Sequence, residues 1–143
     1  MNYELKKAKK RDLSKLIVYK LQSIFAYKEE YSQEEKNRIE NYVRSHIPMQ
    51  LEKYKLIVIE KNVVGCVLVE KKDDGVLLDE IYLEENYRNQ KIETNIIKEI
   101  IKKNAIIYLW VYKVNEKAIS LYKRLGFVIC KQTEDRYYMK YTK

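Results

Sequence analysis

Residues 115–127 read NEKAISLYKRLGF, and this stretch decides the fold. An asparagine opens it, Ala118, Ile119, Leu121 and Tyr122 follow at helical spacing, and Gly126 closes it. Asparagine favours the position before a helix because its side-chain oxygen accepts from a free first-turn amide. Glycine favours the position just past a helix because it adopts the left-handed conformation at little cost. The helix follows IIYLWVY (106–112), a continuous apolar run of the kind expected for a strand covered on both faces. It precedes FVICKQT (127–133) and RYYMKY (136–141), which read as a closing hairpin.

Working back from that helix, NIIKEIIKKN (95–104), with Ile92 just before it, carries a helical stripe of Ile92, Ile96, Ile97, Ile100 and Ile101. VLLDEIYL (76–83) reads as a strand, and the connecting stretch is YRNQKIET (87–94). A strand, a helix and a second strand in this order predict a crossover that makes the two strands parallel. Further upstream, KLIVIE (55–60) and VVGCVLVE (63–70) form a hairpin around Lys61–Asn62, and Lys72–Asp73–Asp74–Gly75 turns the chain into 76–83. Two helices come before them. Asp12 caps one that buries Leu13, Leu16, Ile17, Leu21 and Ile24. Ser32 and Glu35 form the capping box of the other, which buries Ile39, Tyr42, Val43 and Ile47 and which Pro48 is expected to stop. YELKKA (3–8) alternates as a half-buried strand. The element order is β-α-α-β-β-β-α-β-α-β-β.

A chain of 143 residues fits one domain, expected over 1–143, with 46% hydrophobic and 35% charged residues. The longest apolar runs are too short to span a bilayer, so no membrane association is expected. The start, MNYELKKAKK, lacks the apolar core of a secretory signal, and a cytoplasmic location is expected. Cys66 and Cys130 sit in strand-like apolar runs without metal-ligand spacing, so buried thiols and no metal are expected. The net charge of +8 fits a nucleic-acid surface or affinity for a polyanionic small molecule. Acidic pairs at Glu29–Glu30, Glu34–Glu35, Asp79–Glu80 and Glu84–Glu85 interrupt the basic residues. Charge is thus spread over the exposed surface, and no nucleic-acid partner is expected.

The order of elements, with NEKAISLYKRLGF, resembles the GNAT superfamily of N-acetyltransferases, which move an acyl group from coenzyme A to an amine. Asn115, Ala118, Leu121–Tyr122 and Gly126–Phe127 match the family's late motif at its spacings. KKAKKRDLSKL (6–16) is similar to its opening strand-to-helix junction. The resemblance implies a single α+β domain with a mixed central sheet of about seven strands and four helices. The parallel strands 76–83 and 106–112 would be splayed in its middle.

It also implies acetyl-CoA as donor and an amine of a small molecule or protein as acceptor. The main chain of Ile81, Tyr82 and Leu83 would hold the pantetheine arm and the thioester carbonyl, where fixed backbone donors stabilise a developing oxyanion. The phosphate loop would be Arg88, Asn89, Gln90, Lys91, Ile92 and Glu93. The family has glycine at the position of Lys91 and glycine or alanine at that of Glu93, so only Arg88 matches. Glycine there lets a diphosphate approach the amides at a helix N-terminus. Lys91 adds bulk but also a cation, while the Glu93 carboxylate competes for the same helix end, so weakened coenzyme A binding is expected. Lys98 and Lys123 are further candidate cations.

Tyr122 matches the tyrosine that protonates the leaving thiolate, a role suited to a phenol, which is protonated at neutral pH. Plain packing competes with that role in a chain of 14 tyrosines. Asn115 is explained by helix capping alone, and the resemblance implies a pantetheine contact beside it. Glu80 is the candidate base, against the plainer reading of a solvated strand carboxylate, and Asp79 is expected on the opposite face. His46 is accounted for by the end of its helix, Trp110 by the core. The tract YKEEYSQEE (27–35) lies between the two early helices, which in the family border the acceptor site; it reads first as a solvated loop and second as an attractor of a cationic amine. The alternative to a transferase is a degenerate GNAT-fold module for coenzyme A sensing or protein interaction. Pairing through 136–141 makes a homodimer possible.

Overall fold

A computed structural model describes residues 2–27 and 30–143. Lys28 and Glu29, part of the acidic and aromatic tract 27–35, lie outside them. Strand β1 (Glu4–Lys7) leads through a turn of 3-10 helix (Lys10–Asp12) into α1 (Leu13–Phe25), and α2 (Gln33–Gln50) follows. After a second 3-10 turn (Leu51–Lys53) come the antiparallel strands β2 (Tyr54–Ile59), β3 (Asn62–Lys71) and β4 (Val76–Leu83). The rest is α3 (Ile92–Lys103), β5 (Ile106–Tyr112), α4 (Glu116–Arg124), β6 (Val128–Gln132) and β7 (Arg136–Thr142).

The seven strands form one mixed sheet in the order β1-β2-β3-β4-β5-β7-β6, with four α-helices among the described residues. Only β4 and β5 pair in parallel, as the crossover through α3 requires. That pairing lasts from Val76↔Ile107 to Leu78↔Leu109 and then stops. On their outer sides both strands stay paired, β4 with β3 and β5 with β7, up to the ends near Leu83 and Tyr112. The two strands therefore diverge, leaving a gap between Asp79–Leu83 and Trp110–Tyr112.

Alternate residues build a core on each face of the sheet. Ile57, Val67, Leu78, Ile107, Leu109 and Met139 join Ile92, Ile96 and Ile97 of α3 and Tyr122 of α4 on one side. Leu56, Val58, Cys66 and Leu68 join Leu16 and Tyr19 of α1 and Val43 and Ile47 of α2 on the other. The isoleucine stripe of α3 is thus the inner wall of the first core, with Ile100 and Ile101 half-buried at its edge.

Several expectations change. Pro48 lies inside α2, which continues to Gln50. Proline removes the amide that would donate to the Arg44 carbonyl, and both residues lie on the exposed side of α2, where water can replace that donor. His46 is therefore one turn short of the end, where its ring stacks on Tyr42 at 3.8 Å. Tyr42 itself is exposed, not part of the buried face. Asp12 precedes α1 without capping it; its Oδ2 accepts from the Lys9 amide at 2.7 Å instead. Strand β5 is buried at Ile107, Leu109 and Val111 but only half-buried at Tyr108, Trp110 and Tyr112, so Trp110 is not core. The helices α1 and α2 cover the β2–β3 half of that face. Cys66 is buried, but Cys130 is exposed because β6 is the sheet edge.

Gly65 of β3 sits opposite Leu83. A Cβ there would lie 2.0 Å from the Tyr82 carbonyl oxygen, and backbone held in a ladder cannot yield cheaply. Gly65→Ala is expected to destabilise the fold by about 3 kcal/mol, measured by urea unfolding, with loss of protection in β4 amide exchange.

Candidate active site

The gap between β4 and β5 opens into a cleft of about 990 Å³, bounded by the end of α1, the start of α3 and one face of α4. A bulge shapes its floor. Leu68 faces Glu80 while Val69 faces Leu78, so Asp79 is an extra residue on β4. Val76 and Leu78 face the α3 core, and strict alternation would send Glu80 to the same side. The extra residue reverses the parity, so Glu80 and Tyr82 face α1 and α2, while Ile81 and Leu83 pack against the α3 core.

Glu80 is consequently buried, not solvated, at 6% exposure. Its carboxylate accepts from the Tyr54 hydroxyl at 2.7 Å and the Cys66 thiol at 3.3 Å, and Lys20 Nζ lies 3.6 Å away. Burial and the neighbouring carboxylate push the Tyr54 phenol far above its usual range, so it stays a donor. Asp79 does not point away: it lines the same cleft. Burial raises its carboxyl above the usual range, with Lys20 opposing. Tyr82 stacks on Tyr19 at 4.8 Å and donates to Gln22 Oε1 at 2.6 Å. Tyr19 in turn donates to the Glu84 carboxylate.

At the other end of the cleft lies the glycine-free loop. Asn89 and Lys91 both adopt left-handed backbone, with φ of 63° and 65°. The loop thus keeps a glycine-like path without glycine. Asparagine tolerates that conformation, but lysine does so at a cost. Lys91 precedes α3 without a side-chain cap, so the first-turn amides of Ile92, Glu93 and Thr94 retain the donors that a helix start leaves free. The Ile92 side chain is buried in the core at 1% exposure, so only its backbone belongs to the site. Gln90 is tied back to the Asn86 carbonyl at 3.0 Å and is absent from the cleft lining. Arg88 donates from Nε to the Leu83 carbonyl at 2.7 Å, and its guanidinium lies 5.3 Å from the centre of the Tyr82 ring. That bond leaves one of the three expected pantetheine-holding residues with its carbonyl already engaged.

Asn115 caps α4, accepting from the Ala118 amide at 3.2 Å, and its Nδ2 donates to the Tyr27 hydroxyl at 2.9 Å. Tyr27 stacks on Tyr112 at 4.4 Å. Tyr122 projects from α4 toward α3, 7% exposed. Burial, then the charge and hydrogen bond of Glu93, hold its phenol far above the usual range. Burial likewise raises the Glu93 carboxyl, while Tyr122 and Arg88 oppose the rise. The cleft therefore brings together Tyr122, Glu93, Asn115, Arg88, Asn89 and Lys91 at one end and Glu80 at the other.

Of the anticipated cations, Lys98 lines a smaller cavity that adjoins the cleft and shares Lys91, Thr94 and Arg124 with it, while Lys123 lines neither. Lys117 and Arg124 of α4 line the cleft itself, and Lys117 donates to Asn89 Oδ1. Their seven-residue separation, two helical turns, was the available signal. Tyr27, Lys20 and Arg136 also line the cleft and carried no motif in the sequence.

The Acetyltransferase (GNAT) family model matches residues 16–127. The fold is similar to that of YjaB from Escherichia coli, with a TM-score of 0.77 and 19% identity over 99% of this chain and 98% of that one. It is also similar to the PaiA N-acetyltransferase of Thermoplasma acidophilum, whose structure holds coenzyme A, with a TM-score of 0.71 and 21% identity over 100% of both chains. Naa50 of Arabidopsis thaliana, in complex with the bisubstrate analogue CoA-Ac-MVNAL, gives 0.66 and 22% over 100% of both. At such identities these likenesses show a shared fold. No curated protein matches the sequence.

The left-handed lysine supplies a test of the loop. Lys91→Gly is expected to stabilise the protein by about 1 kcal/mol, read as a raised urea midpoint. An unchanged or lowered midpoint would mean that the Lys91 side chain compensates its backbone.

Proposed function

The chain belongs to the GNAT acetyltransferase family, and on that premise we propose that it transfers an acetyl group from acetyl-CoA directly to an amine. The observation that carries this reading is the pairing of the β4–β5 gap with the free amides of α3 at one end of it. Acetyl-CoA is a diphosphate joined to a long thin arm, and these features fit its two parts. The α3 amides, with Arg88, Lys91, Lys117 and Arg124 nearby, suit the diphosphate, because helix dipole and cations act together. The gap suits the pantetheine arm, because unpaired strand edges offer it main-chain hydrogen bonds.

Chemistry is assigned to this chain's own groups. The main chain of Ile81–Leu83 polarises the thioester carbonyl, and fixed donors do so without reorganising. Glu80 accepts the proton of the incoming ammonium by way of water in the cleft. The carboxylates of Asp79 and Glu80 attract a cationic amine to that end. Tyr122, protonated at neutral pH as any phenol is, gives its proton to the departing thiolate. Asn115 fixes the start of α4 and so the position of Tyr122.

The second reading, a module without catalysis, draws its support from Lys91 and Glu93. The left-handed backbone at Lys91 weakens it, since the path of the loop survives the lost glycine. Glu93 still crowds the helix start.

Titrating acetyl-CoA by calorimetry separates the two. Measurable binding by the parent, with Tyr122→Phe slowing thiol release about 10²–10⁴-fold, supports the transferase. Silence in the parent, with binding restored by Lys91→Gly plus Glu93→Gly, supports the module.

A further inference from the structure

The face of β5, β7 and β6 that α1 and α2 leave open carries a row of rings and cations. Tyr108 stands opposite Lys140, Trp110 opposite Tyr138 and Tyr112 opposite Arg136, with Lys131 of β6 opposite Tyr138. Residues directly opposite in an antiparallel pair share a face. Tyr138 stacks on Tyr108 at 5.3 Å and meets Trp110 at 4.5 Å. The cations lie over these rings: Arg136 4.7 Å from Trp110, Lys131 4.7 Å from Tyr138 and Lys140 5.5 Å from Tyr108. Ring contact holds each cation without neutralising it. Among the described residues, none of the three forms an ion pair. Asp74, which accepts from Tyr108 at 2.7 Å, stands at one margin of the row, and Glu134 and Asp135 stand in the β6–β7 turn at the other.

The row begins inside the cleft. The β4–β5 ladder ends at Leu78↔Leu109, so Asp79 and Trp110 are the next residues on the two banks of the gap. Both line the cleft, as does Arg136, whereas Tyr138, Lys131 and Lys140 lie beyond its lining. Glu80 is already engaged by Tyr54, Cys66 and Lys20. Asp79 makes no hydrogen bond or ion pair among the described residues. The cleft therefore presents a free carboxylate on one bank, a guanidinium without a counter-ion on the other, and a cationic track leading out.

Charge complementarity selects the ligand. A nucleic-acid backbone suits the track but offers nothing to Asp79. A single amino acid suits Asp79 and Arg136 but stops there, because Arg136 and Lys140 are four residues apart on β7, about 13 Å. A peptide whose first residues are followed by acidic ones has both a cationic head and a train of carboxylates. We propose that the acceptor is the amino terminus of an acidic peptide, its ammonium drawn to Asp79 and its carboxylates laid along Arg136, Lys131 and Lys140. The inference rests on the reading of the cleft as a transferase site and names the class of amine. Arg136, where track and cleft meet, is the specificity-determining residue.

Trp110 is the chain's one tryptophan, so its fluorescence reports binding without turnover. It is titrated with a pentapeptide of alanine followed by four acidic residues, with the same peptide bearing the corresponding amides, with free glutamate and with a single-stranded oligonucleotide. Thiol release from acetyl-CoA is followed with the same acceptors. The expected result is saturable binding of the acidic pentapeptide that weakens with salt, and a KM lower than that of the amide peptide. Arg136→Gln is expected to cost about fivefold in affinity for the acidic peptide, and Arg136→Lys to retain most of it. Equal binding of the amide peptide, free glutamate matching the pentapeptide, tighter binding of the oligonucleotide, or an acidic preference untouched in Arg136→Gln overturns the inference. Thiol release with other amines and no acidic preference overturns it while leaving the transferase standing. Binding of the acidic peptide with no thiol release from any acceptor overturns the transferase reading, and the peptide's role as acceptor falls with it.

Discussion

The parallel ladder between β4 and β5 ends after Leu78↔Leu109, and the rest of the site depends on that ending. Both strands remain fixed along their outer edges, one by β3 and the other by β7. Neither can turn back to close the gap without giving up a ladder already made. Backbone groups away from water need partners, so an opening between two ordered strands in the middle of a sheet suits a ligand that brings its own amides. The crossover helix α3 then begins at the far end of the same opening, which aligns helix dipole, loop and gap along one path.

Around that path the chain repeatedly sets a phenol against a carboxylate. Tyr54 donates to Glu80, Tyr19 to Glu84, and Tyr122 meets Glu93. The hydrogen bonds to Glu80 and Glu84 help satisfy carboxylates that would otherwise be costly to bury, and at Glu80 Lys20 adds an ion pair at 3.6 Å. A tyrosine in such a pair keeps its proton across the physiological range and so stays a donor. The loop adds a second adaptation. Lys91 bears left-handed strain that glycine would avoid, and in exchange a cation stands at the mouth of the helix. The two departures from the family pattern thus act in opposite directions on an anion, one attracting and one repelling.

Much of the fold was legible in the sequence because it rests on periodicity. The isoleucine stripe of α3, the continuous apolar runs of β2 and β3, the Ser32–Glu35 capping box and the Asn115–Gly126 helix all arise from neighbours within a few residues. The misreadings cluster where a local pattern meets an edge. FVICKQT looks like a buried strand, yet β6 is the last strand of the sheet and Cys130 is exposed. IIYLWVY is apolar throughout, yet α1 and α2 cover the β2–β3 half of that face, so Trp110 is half-buried and cation-lined, with Arg136 4.7 Å from its ring. Pro48 reads as a helix stop, but it sits on the exposed side of α2 close to its end, where water can take up the Arg44 carbonyl that it leaves without a donor.

The sequence by itself determined the helices, the strands, the crossover and the positions of Tyr122 and Asn115, because each depends on side chains spaced along one segment. Tertiary structure alone decided which face Glu80 takes. That depends on one extra residue in β4 relative to β3, a register between segments that no single-strand pattern encodes. It also decided that Lys117 and Arg124, not Lys123, line the cleft from α4, since the rotation of α4 follows from how Tyr122 and Leu121 pack against the core. Charge is written in the chain; the direction in which it points is set by packing.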